Sequence, residues 1–129
     1  MTRSNPLKFK GNIGVTWNHR PWSAGWVARY FDAYIVSTTP SVIQAQGSTR
    51  VPSQIYHDLF VGYRFPTARE KVSGLPRLLV GTEFQIGVKN VFNTEPPLDV
   101  SSSNIGAGTF SPFGDPRGAI YYLSVKRTF

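Results

Sequence analysis

His57 and Asp58 come closest, among the residues of the chain, to a pair with acid–base chemistry, because a histidine held by a carboxylate can accept and donate protons. Both lie in a stretch, residues 54–65, in which apolar and polar residues alternate as they do along a β-strand. Successive side chains on a strand point to opposite faces of the sheet, so these two side chains cannot readily meet. We therefore reject a His–Asp dyad.

Other chemically active sites have little support in the residues. The chain has no cysteine, which excludes disulfides, thiolate metal sites and a cysteine nucleophile, and it has 2 histidines. It has neither a glycine-rich phosphate loop nor a paired metal motif. A flexible loop explains both the polar segment 101–104 and the Gly-Ala-Gly segment 106–108. We expect no enzymatic activity, no metal and no cofactor.

Length and composition limit the class of protein. The 129 residues suit one domain, and the formal charge of +7 favours anionic partners such as nucleic acid, lipid phosphate or lipopolysaccharide. Charged residues make up 16% of the chain, against about 25% in soluble domains. No apolar run approaches the roughly 18 residues of a membrane-spanning helix, so a helical membrane protein is excluded.

Alternation of apolar and polar residues predicts an all-β, antiparallel architecture. In the clearest segment, 8–18, the odd positions include Phe9, Ile13, Val15 and Trp17, and no even position is apolar. Similar patterns, separated by clusters of glycine and proline, predict strands at about 8–18, 22–35, 54–65, 78–92 and 118–129.

These predicted strands are long, at 11 to 15 residues, whereas strands of soluble proteins usually have about 5 to 6. A strand that crosses a bilayer needs about 9 to 11 residues. The connections include a short one at 19–21 and long ones at 32–53 and 93–117. Brief periplasmic turns and extended outer loops are typical of outer-membrane barrels, so we expect a segment of an antiparallel transmembrane β-barrel.

The pattern assigns one face of the strands to lipid and the other to a wet lumen. Membrane barrels carry aromatic girdles at both ends of the lipid face. The predicted girdle residues are Trp17, Trp22 and Phe65 at the periplasmic ends, and Tyr30, Phe92 and Tyr121 at the outer ends. The predicted lumen-facing residues are Lys10, Arg29, Asp58, Glu83, Gln85 and Lys89.

Closure of such a barrel needs more strands than this chain provides. Common barrels have at least about eight strands, whereas the sequence predicts five, which would leave two open edges. We therefore expect residues 1–129 to be the C-terminal part of a longer polypeptide whose remaining strands complete the wall.

Two segments carry a family resemblance. Residues 87–97 read Gly-Val-Lys-Asn-Val-Phe-Asn-Thr-Glu-Pro-Pro, and the chain ends in an alternating segment that closes on Phe129. Both resemble the C-terminal strands of TonB-dependent outer-membrane receptors, whose penultimate strand carries an Asn-Leu-Phe-Asp-like motif before Pro-Pro. The matching motif residues are Asn90, Phe92, Pro96 and Pro97, while Asn93 stands where the family more often has Asp.

The resemblance implies a transporter in the bacterial outer membrane, with a barrel of about 22 strands plugged by an N-terminal domain. Such receptors import siderophore-iron, cobalamin or carbohydrates with energy delivered through TonB. The plug and the TonB contact would lie outside residues 1–129. The implied partners are membrane lipid, lipopolysaccharide, the remaining strands and plug, and the outer-membrane insertion machinery. That machinery would read the terminal residues Tyr121, Leu123, Val125 and Phe129.

Two soluble alternatives remain open. A β-sandwich that binds a small ligand would also alternate, and solubility without detergent would favour it. A barrel that binds nucleic acid would use the basic charge together with stacking aromatic rings. Stacking needs the rings and the cations on the same face, whereas tryptophan and most phenylalanine lie opposite the charged positions here. We therefore expect no nucleic-acid partner.

Overall fold

The structure, a computed structural model, describes residues 7–67, 70, 73–100 and 109–128. In chain order its elements are β1 (Lys10–His19), β2 (Trp22–Phe31), β3 (Tyr34–Ile35), α1 (Pro40–Gln46), β4 (Arg50–Val51), β5 (Gln54–Arg64), β6 (Thr82–Lys89), β7 (Leu98–Asp99), β8 (Thr109–Phe110) and β9 (Ile120–Arg127).

One antiparallel sheet dominates the molecule. Its strand order is β1-β2-β5-β6-β9, so consecutive long strands of the chain are neighbours. The predicted all-β, antiparallel class is therefore confirmed. The sheet is open, with β1 and β9 at its edges. The described residues contain no helix that is both long and apolar enough to span a membrane.

The two ends of the sheet differ in their connections. At one end, which we call the short-turn end, the Arg20–Pro21 turn joins β1 to β2 through a cis peptide bond, and residues 65–81 join β5 to β6. At the opposite, long-loop end, β2 is joined to β5 by residues 32–53 and β6 to β9 by residues 90–119.

The strand predicted at 22–35 ends at Phe31. The Asp32 carboxylate accepts the N–H of Ala33 at 2.8 Å, a local bond that favours a turn over continued pairing. Tyr34–Ile35 then pairs with Arg50–Val51 in a separate small sheet. Asp32 interrupts the alternation of β2, and the apolar residues Tyr34 and Ile35 after it belong to this small hairpin, which buries Tyr34 among the loops.

The strand predicted at 78–92 is shorter at both ends, as β6 covers Thr82–Lys89. Gly81 has a φ of 69° and Asn90 a φ of 52°. Left-handed backbone cannot continue an extended strand, so these two residues set its limits. The strands predicted at 8–18, 54–65 and 118–129 differ from β1, β5 and β9 by at most 2 residues at either end.

The buried apolar cluster lies in the long loops and not beneath the sheet. Its centre is formed by Tyr34, Val36 and Val51. Partly buried side chains from four further segments pack against this centre: Leu7, Val42, Val100 and Phe113. The two long connections therefore hold each other in place at the long-loop end.

A buried hydrogen-bond network accompanies this cluster. The Tyr34 hydroxyl donates to the Asp99 carboxylate at 2.6 Å and lies 3.1 Å from the Ser111 hydroxyl. The Gln54 amide donates to Ser111 at 2.8 Å and accepts the Tyr56 hydroxyl at 2.7 Å. Burial, and then the bond to Asp99, raises the pKa of Tyr34 well above its usual value. Tyr34, Asp99 and Ser111 come from the loops and Gln54 and Tyr56 from the first residues of β5, so the network links the loops to this strand.

We expect this loop cluster to weaken in alkaline solution. The Tyr34 pKa is higher in the folded chain than in the unfolded chain, so its contribution to stability is fully present below about pH 10 and falls as the pH rises further. Thermal denaturation midpoints measured between about pH 8 and pH 11 test this expectation. The control is Tyr34→Phe, which should be less stable at neutral pH by about 1–3 kcal/mol and should lose less on alkalinisation. An equal alkaline loss in both proteins would contradict it.

Candidate functional site

Strand register places alternate residues of all five long strands on one side of the sheet, which we call the apolar face. At mid-height, the residues of this face in register across the sheet are Val15, Trp26, Leu59, Val88 and Tyr121. Large apolar side chains here are open to the surroundings, with an exposed fraction of 62% for Val15, 60% for Ile86 and 69% for Leu123. Among the described residues, no second layer covers this face.

A belt of aromatic rings crosses the apolar face at the short-turn end. Trp22, Tyr63 and Phe84 occupy the same height on three neighbouring strands. The ring centroids of Trp22 and Tyr63 are 4.8 Å apart, and Phe65 lies 4.9 Å from Tyr63 and 6.0 Å from Phe84. Trp17 is one side-chain layer further into the sheet, opposite Ala24. The structure thus places Trp22 and Phe65 on either side of Tyr63 in this belt, whereas Trp17 lies one layer away on the same face.

The belt at the long-loop end is less complete. Tyr30 lies level with Ile55, its ring centroid is 6.0 Å from that of Phe9, and Phe92 is 71% exposed on the same face. Tyr121 does not belong to this belt, since it lies level with Trp26 at mid-height. The sequence-based interpretation assumed that all strands begin at a common height, whereas the registers stagger them.

His57 is a polar residue on the apolar face, and its partners explain how it is accommodated. The Trp26 indole N–H donates to His57 Nδ1 at 3.1 Å, and the two ring planes are within 15° of parallel. The Phe92 ring meets the His57 ring edge-on at 5.1 Å. The Nδ1 atom of His57 thus has a hydrogen-bond donor on the apolar face, and its ring is covered by two aromatic neighbours. Asp58 points to the other face, as predicted.

The opposite side, which we call the polar face, holds all six predicted lumen-facing residues: Lys10, Arg29, Asp58, Glu83, Gln85 and Lys89. Two ion pairs form between neighbouring strands. The Arg29 guanidinium donates to Asp58 at 3.0 Å, and the Arg64 Nε atom lies 3.6 Å from Glu83. Arg29 also lies above the Tyr56 ring, 5.7 Å from its centroid, a distance at which cation–π attraction operates.

Glycines on the polar face make room for aromatic rings. A Cβ atom at Gly25 would collide with the Phe60 ring, and one at Gly87 would collide with the Tyr122 ring. These rings therefore lie flat across neighbouring strands, which keeps polar groups such as Gln85 within reach of the Tyr122 hydroxyl at 3.3 Å. The sequence pattern assigned Tyr122 to the polar face and did not reveal this packing.

A cleft of about 480 Å³ opens on the polar face near the long-loop end. Sheet residues form one side and the segment before β9 forms the other. Its charged lining residues are Arg29, Lys89, Asp115 and Arg117. Asp115 and Arg117 share hydrogen bonds as short as 2.8 Å, which hold the pKa of Asp115 at about 2. The sequence-based site residues include Arg29 and Lys89 but missed Arg117, because a loop residue has no strand pattern to reveal its direction.

The residues of the resembled motif have structural roles in the turn after β6. The Asn90 side chain bonds both ways with Thr94, at 2.8 and 2.9 Å. Pro96 is buried, and the Pro97 carbonyl accepts the N–H of Ser111 at 2.8 Å. Phe92 turns onto the apolar face. The motif therefore shapes a turn and presents one ring to the surroundings.

The predicted insertion signal lies on the edge strand β9. Tyr121, Leu123 and Val125 share the apolar face and are 75%, 69% and 57% exposed. Phe129 lies outside the described residues. Within the described part of the chain, no three His, Asp or Glu side chains lie together as metal ligands would. No protein-family model, curated protein or solved structure matches the chain.

Proposed function

We propose that this chain supplies five transmembrane strands to the wall of a bacterial outer-membrane β-barrel, as the C-terminal part of a TonB-dependent receptor. In the full-length polypeptide, that barrel serves the energised uptake of siderophore-iron, cobalamin or a carbohydrate. The apolar face contacts lipid and lipopolysaccharide, and the polar face lines the lumen. Further strands pair with the edges β1 and β9, and the plug and the contact with TonB belong to other parts of the polypeptide.

The observation that carries this proposal is the exposed apolar face with aromatic rings at its ends. Burial of a Val, Leu or Ile side chain is worth about 1.5–3 kcal/mol, so a water-exposed face of this kind gives up that gain at every position. Contact with lipid hydrocarbon restores this stabilisation, provided that all backbone groups are paired between strands. The segment from Trp22 to Tyr30 has nine residues. A tilted strand that crosses the apolar core of a bilayer needs about 9 to 11 residues, so the spacing of the two rings suits a membrane barrel.

The distribution of charge favours this proposal over a nucleic-acid module. Arg29, Asp58 and Lys89 lie on the face opposite Trp22 and Trp26. A single strand that stacked on the tryptophans would thus be separated by the sheet from the cations Arg29 and Lys89. A soluble sandwich would need a layer over the apolar face, and the described residues supply none.

We expect cysteine scanning of β9 to show a period of two. Residues 1–129 have no cysteine, so a single replacement at any of residues 121–126 provides one attachment point for a nitroxide in this segment. In membranes, odd positions should be accessible to oxygen, which dissolves in lipid, and even positions to a water-soluble nickel chelate. Electron paramagnetic resonance measures both accessibilities. Odd positions that are more accessible to the chelate than to oxygen would contradict a lipid-facing surface.

A further inference from the structure

Positive charge is concentrated at the short-turn end of the sheet. The described residues there include five basic side chains and two acidic ones: Arg20, Arg64, Arg77, Lys126 and Arg127 against Glu70 and Glu83. At the long-loop end the balance is six against five: Lys8, Lys10, Arg29, Arg50, Lys89 and Arg117 against Asp32, Asp58, Glu95, Asp99 and Asp115. Over the residues that the structure describes, the excess is therefore +3 at the short-turn end and +1 at the long-loop end.

The basic residues lie immediately beyond the aromatic belt. Phe84 pairs with Val125 at the height of the belt, and the next pair on the apolar face is Thr82 with Arg127. One side-chain layer, about 7 Å along the strands, thus separates the belt from a cation on the same face. The Arg127 guanidinium donates to the carbonyl of Arg77 at 3.1 Å, which keeps the exposed Arg77 beside it.

We call Arg77 and Arg127 the basic rim of the apolar face. A cavity of about 440 Å³ opens at the same end of the sheet. Arg20 and Arg64 line it together with the Phe65 ring and Glu70. Glu70 bonds to Arg20 at 3.1 Å and to the N–H of Thr67 at 2.8 Å. The bond to the Thr67 backbone, and then Arg20, keeps the pKa of Glu70 below its usual value. The ionised Glu70 carboxylate therefore offsets part of the positive charge at this end.

We infer that the short-turn end binds the headgroups of anionic phospholipids. This inference rests on the proposed function, because it needs the apolar face to lie in a bilayer. In that position the belt marks the boundary of the hydrocarbon, and Arg77 and Arg127 lie at the depth of the phosphates. Phosphatidylglycerol adds a net negative charge that phosphatidylcholine lacks. Each basic residue near a charged membrane surface contributes about fivefold to binding at low salt.

The test measures which lipid gathers at each end of the apolar face. Val125→Cys and Ile55→Cys place a bimane fluorophore at the heights of the two belts in the full-length polypeptide. The polypeptide is reconstituted in phosphatidylcholine bilayers that contain either nitroxide-labelled phosphatidylglycerol or nitroxide-labelled phosphatidylcholine, with the nitroxide near the headgroup. We expect the charged lipid to quench at Val125 at least about fivefold more effectively than the neutral one, and the two lipids to quench alike at Ile55.

Substitutions of Arg77 and Arg127 test whether the basic rim causes the preference for the charged lipid. Arg77→Gln with Arg127→Gln should abolish the preference at Val125, while Arg77→Lys with Arg127→Lys should keep it. Lys10→Gln with Arg50→Gln removes the same charge from the opposite end and should leave the preference intact. Equal quenching by both lipids at Val125, or equal losses in both glutamine variants, would overturn the inference and leave the proposed function standing. Absence of quenching by either lipid at both positions would overturn the proposed function itself.

Discussion

Val15→Arg is expected to destabilise the membrane-embedded protein by about 2–4 kcal/mol, the cost of an arginine at the middle of the lipid face of a barrel. Val15 is 62% exposed and lies level with Trp26, which is four residues from Trp22 and four from Tyr30. Val15 therefore lies midway between the two belts. From this position an arginine side chain cannot reach the headgroups. Urea titration of the polypeptide in phosphatidylcholine vesicles measures the loss of stability.

The neighbouring residue provides the matched control for this substitution. Thr16 is exposed on the same strand but belongs to the polar face, so Thr16→Arg adds the same charge on the side assigned to the lumen. It should change the stability by about 0.5 kcal/mol or less. In a water-soluble protein both positions would face solvent, and the two substitutions would be equally harmless. A loss of less than about 1 kcal/mol for Val15→Arg would thus argue against lipid contact.

The sequence predicts the sheet well because one face of each strand follows a strict period of two. Ile13, Val15 and Trp17 alternate with polar neighbours in β1, and the structure keeps all three on one face. The assignment of faces is equally direct, since pairing across the sheet preserves this alternation. Strand direction and neighbour order follow from consecutive antiparallel strands, which need no long crossover.

Strand ends and heights are harder to predict because they depend on residues that carry no periodic signal. Tyr34 falls within the strand predicted at 22–35 yet belongs to the loop cluster. Asn90 ends β6 through its backbone conformation. Tyr121 lies at mid-height because the register with Val88 places it there. Arg117 reaches the cleft through a loop, where its direction depends on the Asp115 contact and on the fold of the whole connection.

Asn90→Ala is expected to be the most damaging substitution in the turns. Asn90 is only 3% exposed, and its side-chain amide makes both of its bonds to the backbone of Thr94. Loss of these partners for the partly buried backbone groups of Thr94 costs about 1–3 kcal/mol. The φ of 52° adds about 1 kcal/mol, since alanine adopts left-handed backbone less readily than asparagine. We therefore expect a total loss of about 2–4 kcal/mol in the free energy of unfolding.

Two further variants separate the causes of that loss. Asn90→Gly removes the side-chain bonds but tolerates the backbone conformation, so it should lose about 1 kcal/mol less than Asn90→Ala. Asn12→Ala changes an exposed asparagine in β1 and should stay within about 0.5 kcal/mol of the unchanged protein. The turn also sets Phe92 against His57, so the accessibility of Phe92 to lipid-dissolved probes should change in Asn90→Ala and remain unchanged in Asn12→Ala. If Asn90→Ala proved as mild as Asn12→Ala, Asn90 would not be what ends β6, and the match to the resembled motif at this position would lack a structural reason.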